Sequence, residues 1–460
     1  MLKKYFGTDG IRGRSNTGVI TPEIMIKLAR ATSIACDFLG KKATIVIGKD
    51  TRLSGYMLES ALTSGFISMG VNVVLIGPMP TPAISMLVRS LRADLGMMIS
   101  ASHNPYYDNG VKFFQSSGHK ISSELERKIE QLMHTDLSGY VAEYHDLGKA
   151  LKLGDARGRY IEHVKYSFPP NLKLDGIKLV VDCANGAAYD IAPKVFHELG
   201  AEVIACEISP TGFNINEKCG VMDSQLLTQK VLEHKADLGI ALDGDADRVV
   251  VVDENGQVID GDQIIASLAQ YLLENNLLRN NLVTTTIMSN MGLELYLKTI
   301  GIDLIRTSVG DKYVVEKMGE LGCNLGGEQS GHIIIGSNQA TGDGIKAALG
   351  VLAMYRQAQN PISKVLNKFV PVPQFTRNIR YDHKYYHKFT TLRGEKIEEI
   401  SKFYQERYAK SVRVVIRQSG TEPIIRLMVE SQNADLAQNL LTEMQNKIEN
   451  EIQSLLENSK

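Results

Sequence analysis

One pattern of apolar runs and glycines occurs three times in this chain, and it limits the fold more than any other feature. Each copy reads strand, glycine-bearing loop, helix, glycine, strand, second helix, strand, polar loop. The first copy starts with a strand at residues 43–47. A helix ends near Met69-Gly70, a strand follows at 71–76, and Asp94-Leu95-Gly96-Met97-Met98-Ile99 closes it. The second has strands at 177–181 and 201–204, a helix ending at Leu199-Gly200, and closes with residues 236–242. The third has strands at 282–287 and 302–305, a helix ending at Ile300-Gly301, and closes at 322–326. Ala93-Asp94-Leu95-Gly96 recurs as Ala236-Asp237-Leu238-Gly239, which argues for a true internal repeat. A glycine just past a helix suits the left-handed position that ends it. Strands alternating with helices predict α/β domains with mostly parallel sheets.

Beyond residues 360–373, which contain Pro361, Pro371 and Pro373, the pattern changes. A strand near 376–380, a helix over 394–408 and a hairpin-like pair at 412–416 and 424–429 are predicted. A last helix from Ala434 sets Leu436, Leu440, Leu441, Met444, Ile448 and Ile452 on one face. The fold class is therefore α/β: three repeated α/β domains with mixed, mostly parallel sheets, plus a C-terminal α+β domain. The expected domains are 1–152, 153–254, 255–366 and 367–460. A length of 460 residues agrees, since one core cannot serve it and about three or four domains are expected.

Composition excludes several classes. Hydrophobic content of 43% and charged content of 22% are those of a soluble globular protein. A net charge of −1 with no dense basic tract gives no pointer to nucleic acid. Residues 1–7 lack the apolar core of a signal peptide. No apolar run approaches the roughly 20 residues of a membrane span. Five scattered cysteines (Cys36, Cys183, Cys206, Cys219, Cys323) without a C-x-x-C fit a reducing cytoplasm better than a disulfide or zinc framework.

In open α/β sheets, ligands bind beyond the carboxyl ends of strands. Each repeat puts a polar loop there, at residues 100–105, 243–248 and 327–332, and the three are expected to converge on one cleft. Asp243-Gly244-Asp245-Ala246-Asp247-Arg248 sets carboxylates at i, i+2 and i+4. Oxygen-only ligands suit a hard cation such as Mg²⁺. In an extended strand the outer two would lie roughly 13 Å apart, at about 3.3 Å per residue. One ion with ligands at about 2.1 Å cannot bridge that, so the chain must curl, and Gly244 and Ala246 are small enough to permit it. An acidic solvated turn is the plain alternative. An EF-hand calcium loop is excluded, because Arg248 stands where its glycine is needed.

Ser100-Ala101-Ser102-His103-Asn104-Pro105 contains no G-x-S-x-G elbow, and adjacent side chains point apart, so His103 is a poor base for Ser102. Against an ordinary loop serine stands a phosphate carrier. A phosphoserine brings about −1.5 to −2 charges and the anionic oxygen that a three-aspartate site lacks. Lys112 is near enough in sequence to serve the same site. Arg417-Gln418-Ser419-Gly420-Thr421-Glu422-Pro423, with Arg426 beyond it, reads as a phosphate cradle or as a plain hairpin turn. Gly327-Glu328-Gln329-Ser330-Gly331-His332 offers groups that suit sugar hydroxyls. Phe6-Gly7-Thr8-Asp9-Gly10-Ile11-Arg12-Gly13 is a further glycine-rich loop with one arginine. None of these is a nucleotide loop of the G-x-x-x-x-G-K-[ST] type.

Together, in this order and spacing, the five strings closely resemble the α-D-phosphohexomutase superfamily over essentially the whole chain. Gln329 is similar to the glucosamine branch, where the mannose and glucose branch carries Met. Gln418 departs from a Pro often seen in the last loop. The resemblance implies four domains around a central cleft. It implies an isomerase that interconverts glucosamine 6-phosphate and glucosamine 1-phosphate, toward UDP-N-acetylglucosamine for the cell wall. It further implies one Mg²⁺, with glucosamine 1,6-bisphosphate as intermediate and activator. Carried over residue by residue, Ser102 is the phosphoserine, and its phosphate joins Asp243, Asp245 and Asp247 on the metal. Glu328 and Ser330 hold sugar hydroxyls. Arg417, Ser419, Gly420, Thr421 and Arg426 hold the phosphate that is not reacting. Lys112, Arg12 and His332 are candidates for charge stabilisation and proton transfer. The nearest alternative is the same chemistry on glucose or mannose phosphates. The implied partner is a small phosphosugar in the cytoplasm, with no nucleic acid and no membrane; the oligomeric state, a homodimer included, stays open.

Overall fold

A computed structural model of the chain describes residues 5–7, 9–336, 339–381, 394–408, 411–418 and 424–457. It divides into two compact units: Met1–Thr286 with Ile300–Lys368, and Ile287–Thr299 with Phe369–Lys460.

The first unit carries three sheets. The first sheet contains β1 (Ile11–Arg14), β2 (Thr44–Lys49), β3 (Asn72–Pro78), β4 (Leu95–Ile99), β5 (Asp108–Gln115) and β6 (Ala150–Lys152), in the order β1-β5-β4-β2-β3-β6. The second contains β7 (Lys178–Asp182), β8 (Glu202–Cys206), β9 (Leu238–Leu242), β10 (Val249–Asp253) and β11 (Val258–Ile259), ordered β11-β10-β9-β7-β8. The third contains β12 (Leu282–Thr286), β13 (Asp303–Thr307), β14 (Leu325–Gly327) and β15 (Ile333–Ile335), ordered β13-β12-β14-β15.

The three sheets share one plan. The first strand of each repeat (β2, β7, β12) lies between the other two and runs parallel to both. The winding therefore reverses between the first and third strands, and a crevice opens there at their carboxyl ends. Each third strand (β4, β9, β14) runs into the polar loop and returns through an antiparallel neighbour (β5, β10, β15). The return strands make the sheets mixed, and they grip each loop from both ends. Gly70, Gly200 and Gly301 have φ of 78°, 104° and 75°, the left-handed turn predicted past each helix.

Burial explains the local choices. β4 and β9 are buried along their whole length, as strands covered on both faces must be. Under the first sheet, Leu58, Leu62 and Phe66 pack with Met25 and Leu28 against Ile45, Ile47 and Met97. The helix Pro22–Ala35 supplies Met25 and Leu28; it opens with Pro in its first turn, and Thr21 caps it through its hydroxyl.

The second unit has an antiparallel sheet of β16 (Gln374–Arg380), β17 (Val412–Gln418) and β18 (Ile424–Ser431), with β18 in the centre. Leu440, Leu441, Met444 and Ile448 of the helix Ala434–Glu457 meet Ile425, Leu427 and Val429, so the predicted apolar stripe faces this core. The helix Met291–Thr299 belongs to this unit. Arg413 holds its approach, donating to Glu430 at 2.6 Å and to the carbonyls of Ile287 and Ser289 at 2.7 Å each. All five cysteines are free thiols. No helix among the described residues is long and apolar enough to cross a membrane.

Candidate active site

Ser102 is 1% exposed and lies just past β4 in a left-handed conformation, φ 53°. A non-glycine residue rarely adopts it, and the cost is about 1–3 kcal/mol. Its amide donates to Ser100 Oγ at 2.9 Å, and its own Oγ donates to Asp243 Oδ2 at 2.6 Å. The predicted phosphate carrier and the predicted metal loop thus meet. His103 Nδ1 stands 3.4 Å from the same Oγ. Burial, then Arg248 and Arg12, push that imidazole down to about 4, so it is neutral near pH 7.

Asp243, Asp245 and Asp247 are all buried, and one carboxylate oxygen from each lies within 4.8 Å of the others. The predicted curl is real: Ala246 has φ 55°, and its amide donates to the Asp243 carbonyl at 3.0 Å. Lys112 Nζ sits 2.8 Å from Asp245 Oδ2 and 2.9 Å from Asp247 Oδ2. The remaining oxygens, Asp245 Oδ1 and Asp247 Oδ1, are buried without a hydrogen-bond partner. Buried carboxylate oxygens with nothing to accept from are costly, and a hard cation satisfies them. The donor set therefore fits a metal ion.

The charges around the trio are uneven. Burial raises the Asp243 carboxyl well above the usual range, and Asp247 and Asp245 add to it. At Asp247 burial is outweighed by Lys112, His332 and Arg248, and the carboxyl is held well below it. Burial opposes the Lys112 ammonium too, but Asp245, Asp247 and Asp9 outweigh it and hold the group charged. Arg12 pairs with Asp9 through Nη2, and Lys112 Nζ lies 3.6 Å from the same carboxylate.

His332 is 3% exposed and stands between Asp311, 3.2 Å from Nε2, and Asp247, 3.6 Å from Nδ1. Burial disfavours its charge, but these carboxylates outweigh it and lift the ring up to about 10. The Gly342 amide, however, donates to Nε2 at 2.8 Å, which requires a lone pair there. The neutral ring accepts from Gly342 on Nε2, and the charged ring faces both carboxylates. Glu328 accepts from the Gly310 amide at 3.2 Å, and Ser330 is exposed at the tip of the same loop. Gln329 turns to Asp260, 3.1 Å away. Asp260 also caps the helix Gly261–Glu274, so Gln329 ties the loop to that cap.

Sequence reasoning did not single out several residues the structure brings here. Lys120 bridges Asp9 and Asp311, at 2.5 and 2.7 Å. Thr81 bonds Asp245 through both its amide and its hydroxyl. Arg52, which follows β2 as the polar loops follow their strands, reaches the carbonyl of Ser102; that placement was the available signal.

In the second unit, Arg417 and Arg426 occupy directly opposed positions of the β17–β18 ladder. Ser419, Gly420 and Thr421 lie outside the described residues.

Sequence models described as phosphoglucomutase/phosphomannomutase alpha/beta/alpha domains I, II and III match residues 3–139, 158–256 and 260–372, and the C-terminal domain of that family matches 388–447. The chain belongs to the phosphoglucomutase/phosphomannomutase family. A phosphoglucosamine mutase of Rhodospirillum centenum is 51% identical over 449 residues, 96% of this chain and 94% of that protein. One of Bartonella tribocorum is 50% identical over 448 residues, 97% and 98% of the two chains. Among solved structures, a phosphoglucomutase/phosphomannomutase family protein from Burkholderia thailandensis superposes with a TM-score of 0.79 at 22% identity, covering 96% of this chain and 95% of that one. Aspergillus fumigatus N-acetylphosphoglucosamine mutase, in complex with GlcNAc-6P and magnesium, superposes at 0.66 with 17% identity over 97% and 96%. These two share the fold.

Proposed function

We propose that the protein is an isomerase that interconverts glucosamine 6-phosphate and glucosamine 1-phosphate through phospho-Ser102 and glucosamine 1,6-bisphosphate. The observation that carries this reading is Ser102 Oγ, 2.6 Å from Asp243 and within a buried carboxylate trio that has unsatisfied oxygens. The substrate is taken from relatives about half identical over nearly the whole chain.

Asp243, Asp245, Asp247 and the Ser102 phosphate would hold one Mg²⁺, which when bound supplies positive charge to the phosphoryl group. Three carboxylates and a near-dianionic phosphate outweigh that ion by about three charges. Lys112, Arg12 and Arg248 offset them. In the first half-reaction the bond from phosphorus to Ser102 Oγ breaks, a bond to the free sugar hydroxyl forms, and the hydroxyl proton leaves to a base. The bisphosphate turns over, and its other phosphoryl group returns to Ser102. Arg12 keeps its proton at any accessible pH, so proton transfer falls to Lys112 or His332. Glu328 and Ser330 take sugar hydroxyls. Arg417, Ser419, Gly420, Thr421 and Arg426 take the phosphate that is not reacting. Catalysis of this kind is chiefly positioning and electrostatic stabilisation. The product feeds UDP-N-acetylglucosamine synthesis, and the cytoplasm is the proposed location.

Peptide mapping of the purified protein, then a coupled assay of the Mg²⁺-loaded enzyme on three hexose phosphates, tests this. Phosphate on Ser102 with turnover of glucosamine 6-phosphate is expected, and Ser102→Ala abolishes turnover while the fold survives. Activity on glucose or mannose phosphates alone would move the chain to the other branch. Wild-type rates in a folded Ser102→Ala protein would overturn the mechanism.

A further inference from the structure

Arg52 is fully buried. Its guanidinium is spent on Asp50 and on the backbone of the phosphoserine loop. Nε donates to Asp50 Oδ2 at 2.8 Å. Nη2 donates to the carbonyls of Ser102 at 2.9 Å and Asn104 at 2.8 Å. Nη1 donates to the carbonyl of Asp108 at 3.1 Å and to that of Pro105. An arginine side chain has five N–H donors, and these contacts use all of them. None remains for a phosphate. Asp50 is buried as well, and its Oδ2 also accepts Ser100 Oγ at 2.6 Å, the hydroxyl that receives the Ser102 amide.

The second domain repeats the grip from the other side. Asn216 Nδ2 donates to the same two carbonyls, Ser102 at 2.9 Å and Asn104 at 3.1 Å. The Asn216 amide is anchored on the Ala184 carbonyl at 3.0 Å, and the residue itself is left-handed, φ 56°. The Ser102 carbonyl thus takes two charged or amide donors, one from each domain. A left-handed serine is strained and persists only where its surroundings over-determine it.

We propose that Arg52 and Asn216 are positioning residues for the phosphoryl-carrying serine. By holding the Ser102 carbonyl they fix its left-handed backbone and so aim Oγ at the carboxylate trio. The inference rests on Ser102 being the phosphoryl carrier. The side-chain N–H donors of both residues are spent on the protein, so each is expected to act on the rate of transfer and not on sugar binding.

Asn216→Ala is the decisive variant, because it removes two hydrogen bonds from a partly exposed side chain. Misplacing a reacting atom by about 1 Å costs up to roughly 100-fold in rate. A fall in kcat of about 10- to 100-fold is expected, with KM for glucosamine 6-phosphate and the thermal midpoint close to wild type. Phosphate loading of Ser102 from glucosamine 1,6-bisphosphate, followed by intact mass, should slow in parallel. Arg52→Lys keeps a cation beside Asp50 but cannot span the carbonyls; its folded fraction should lose more than Asn216→Ala. Unchanged kcat in folded Asn216→Ala overturns the proposal, as does a loss that tracks KM or thermal midpoint. If wild type itself carries no phosphate on Ser102 and turns nothing over, the reading of Ser102 falls, and the positioning role with it.

Discussion

A carboxylate's behaviour here depends on what faces it. Asp247 has cations about it and is held acidic; Asp182 does not. Asp182 ends β7, is wholly buried and accepts only the amides of Ala184 at 2.8 Å and Gly220 at 2.7 Å. Burial pushes it up to about 6, and those two hydrogen bonds only partly oppose the shift. Ala184 is the anchor of Asn216, so Asp182 supports the turn behind the phosphoserine loop. The folded value lies above the unfolded one, so between about pH 4 and 6 the native state holds a proton that the unfolded chain has released. Asp182 therefore contributes stability at low pH, and the contribution is lost as pH rises through 6. A shift of about two units corresponds to about 3 kcal/mol. In urea titrations from pH 4 to 7.5, the stability of wild type minus that of Asp182→Asn should shrink by about that amount. A difference that is flat, or that grows with pH, would refute it.

At the scale of elements, the site depends on glycines that let three loops approach. A Cβ built on Gly244 would meet Ser102 O at 2.6 Å, Ile215 Cδ1 at 2.8 Å and Asn216 Nδ2 at 2.9 Å. Gly154 has nothing within 4 Å. Overpacking typically costs about 1–3 kcal/mol. Gly244→Ala should lower the thermal midpoint and cut turnover at least tenfold, while Gly154→Ala leaves both near wild type. Equal behaviour of the two would show that the close approach has no consequence. The sequence made these loops legible because the polar residues cluster at the carboxyl ends of repeated apolar strands. It hid β5, which is buried along nearly its whole length and so shows no alternation, and β15, which is three residues long. Arg52–Ser102, Lys120–Asp311 and Asp311–His332 were hidden for another reason: they join distant segments, and no local periodicity encodes which loops meet. The repeat also assigns the helix Met291–Thr299 to the third α/β domain, as does the family model over residues 260–372, while the compact units group it with the C-terminal sheet. Arg413 ties the segment before this helix to the C-terminal sheet through the Ile287 and Ser289 carbonyls, and nothing near residue 290 announces it.

For the whole molecule, two units with separate cores should respond separately to a ligand that only one of them holds. The three carboxylates belong to the first unit, and the loops of all three α/β domains meet around them. The core of the second unit, from Ile379 to Ile448, contains none of them. A ligand that binds the native state alone stabilises it by about 2.7 kcal/mol at a hundredfold excess over its Kd. Mg²⁺ should therefore raise the transition of the first unit by several degrees in calorimetry and leave that of the second in place. The site also predicts the control. Asp245→Asn removes a charge that Lys112 pairs with and that a bound ion would share, so its first transition should move little with Mg²⁺. If Mg²⁺ moves both transitions together, the units do not unfold independently. If it moves neither in wild type, the buried trio does not hold the ion, and the unsatisfied oxygens of Asp245 and Asp247 need another partner.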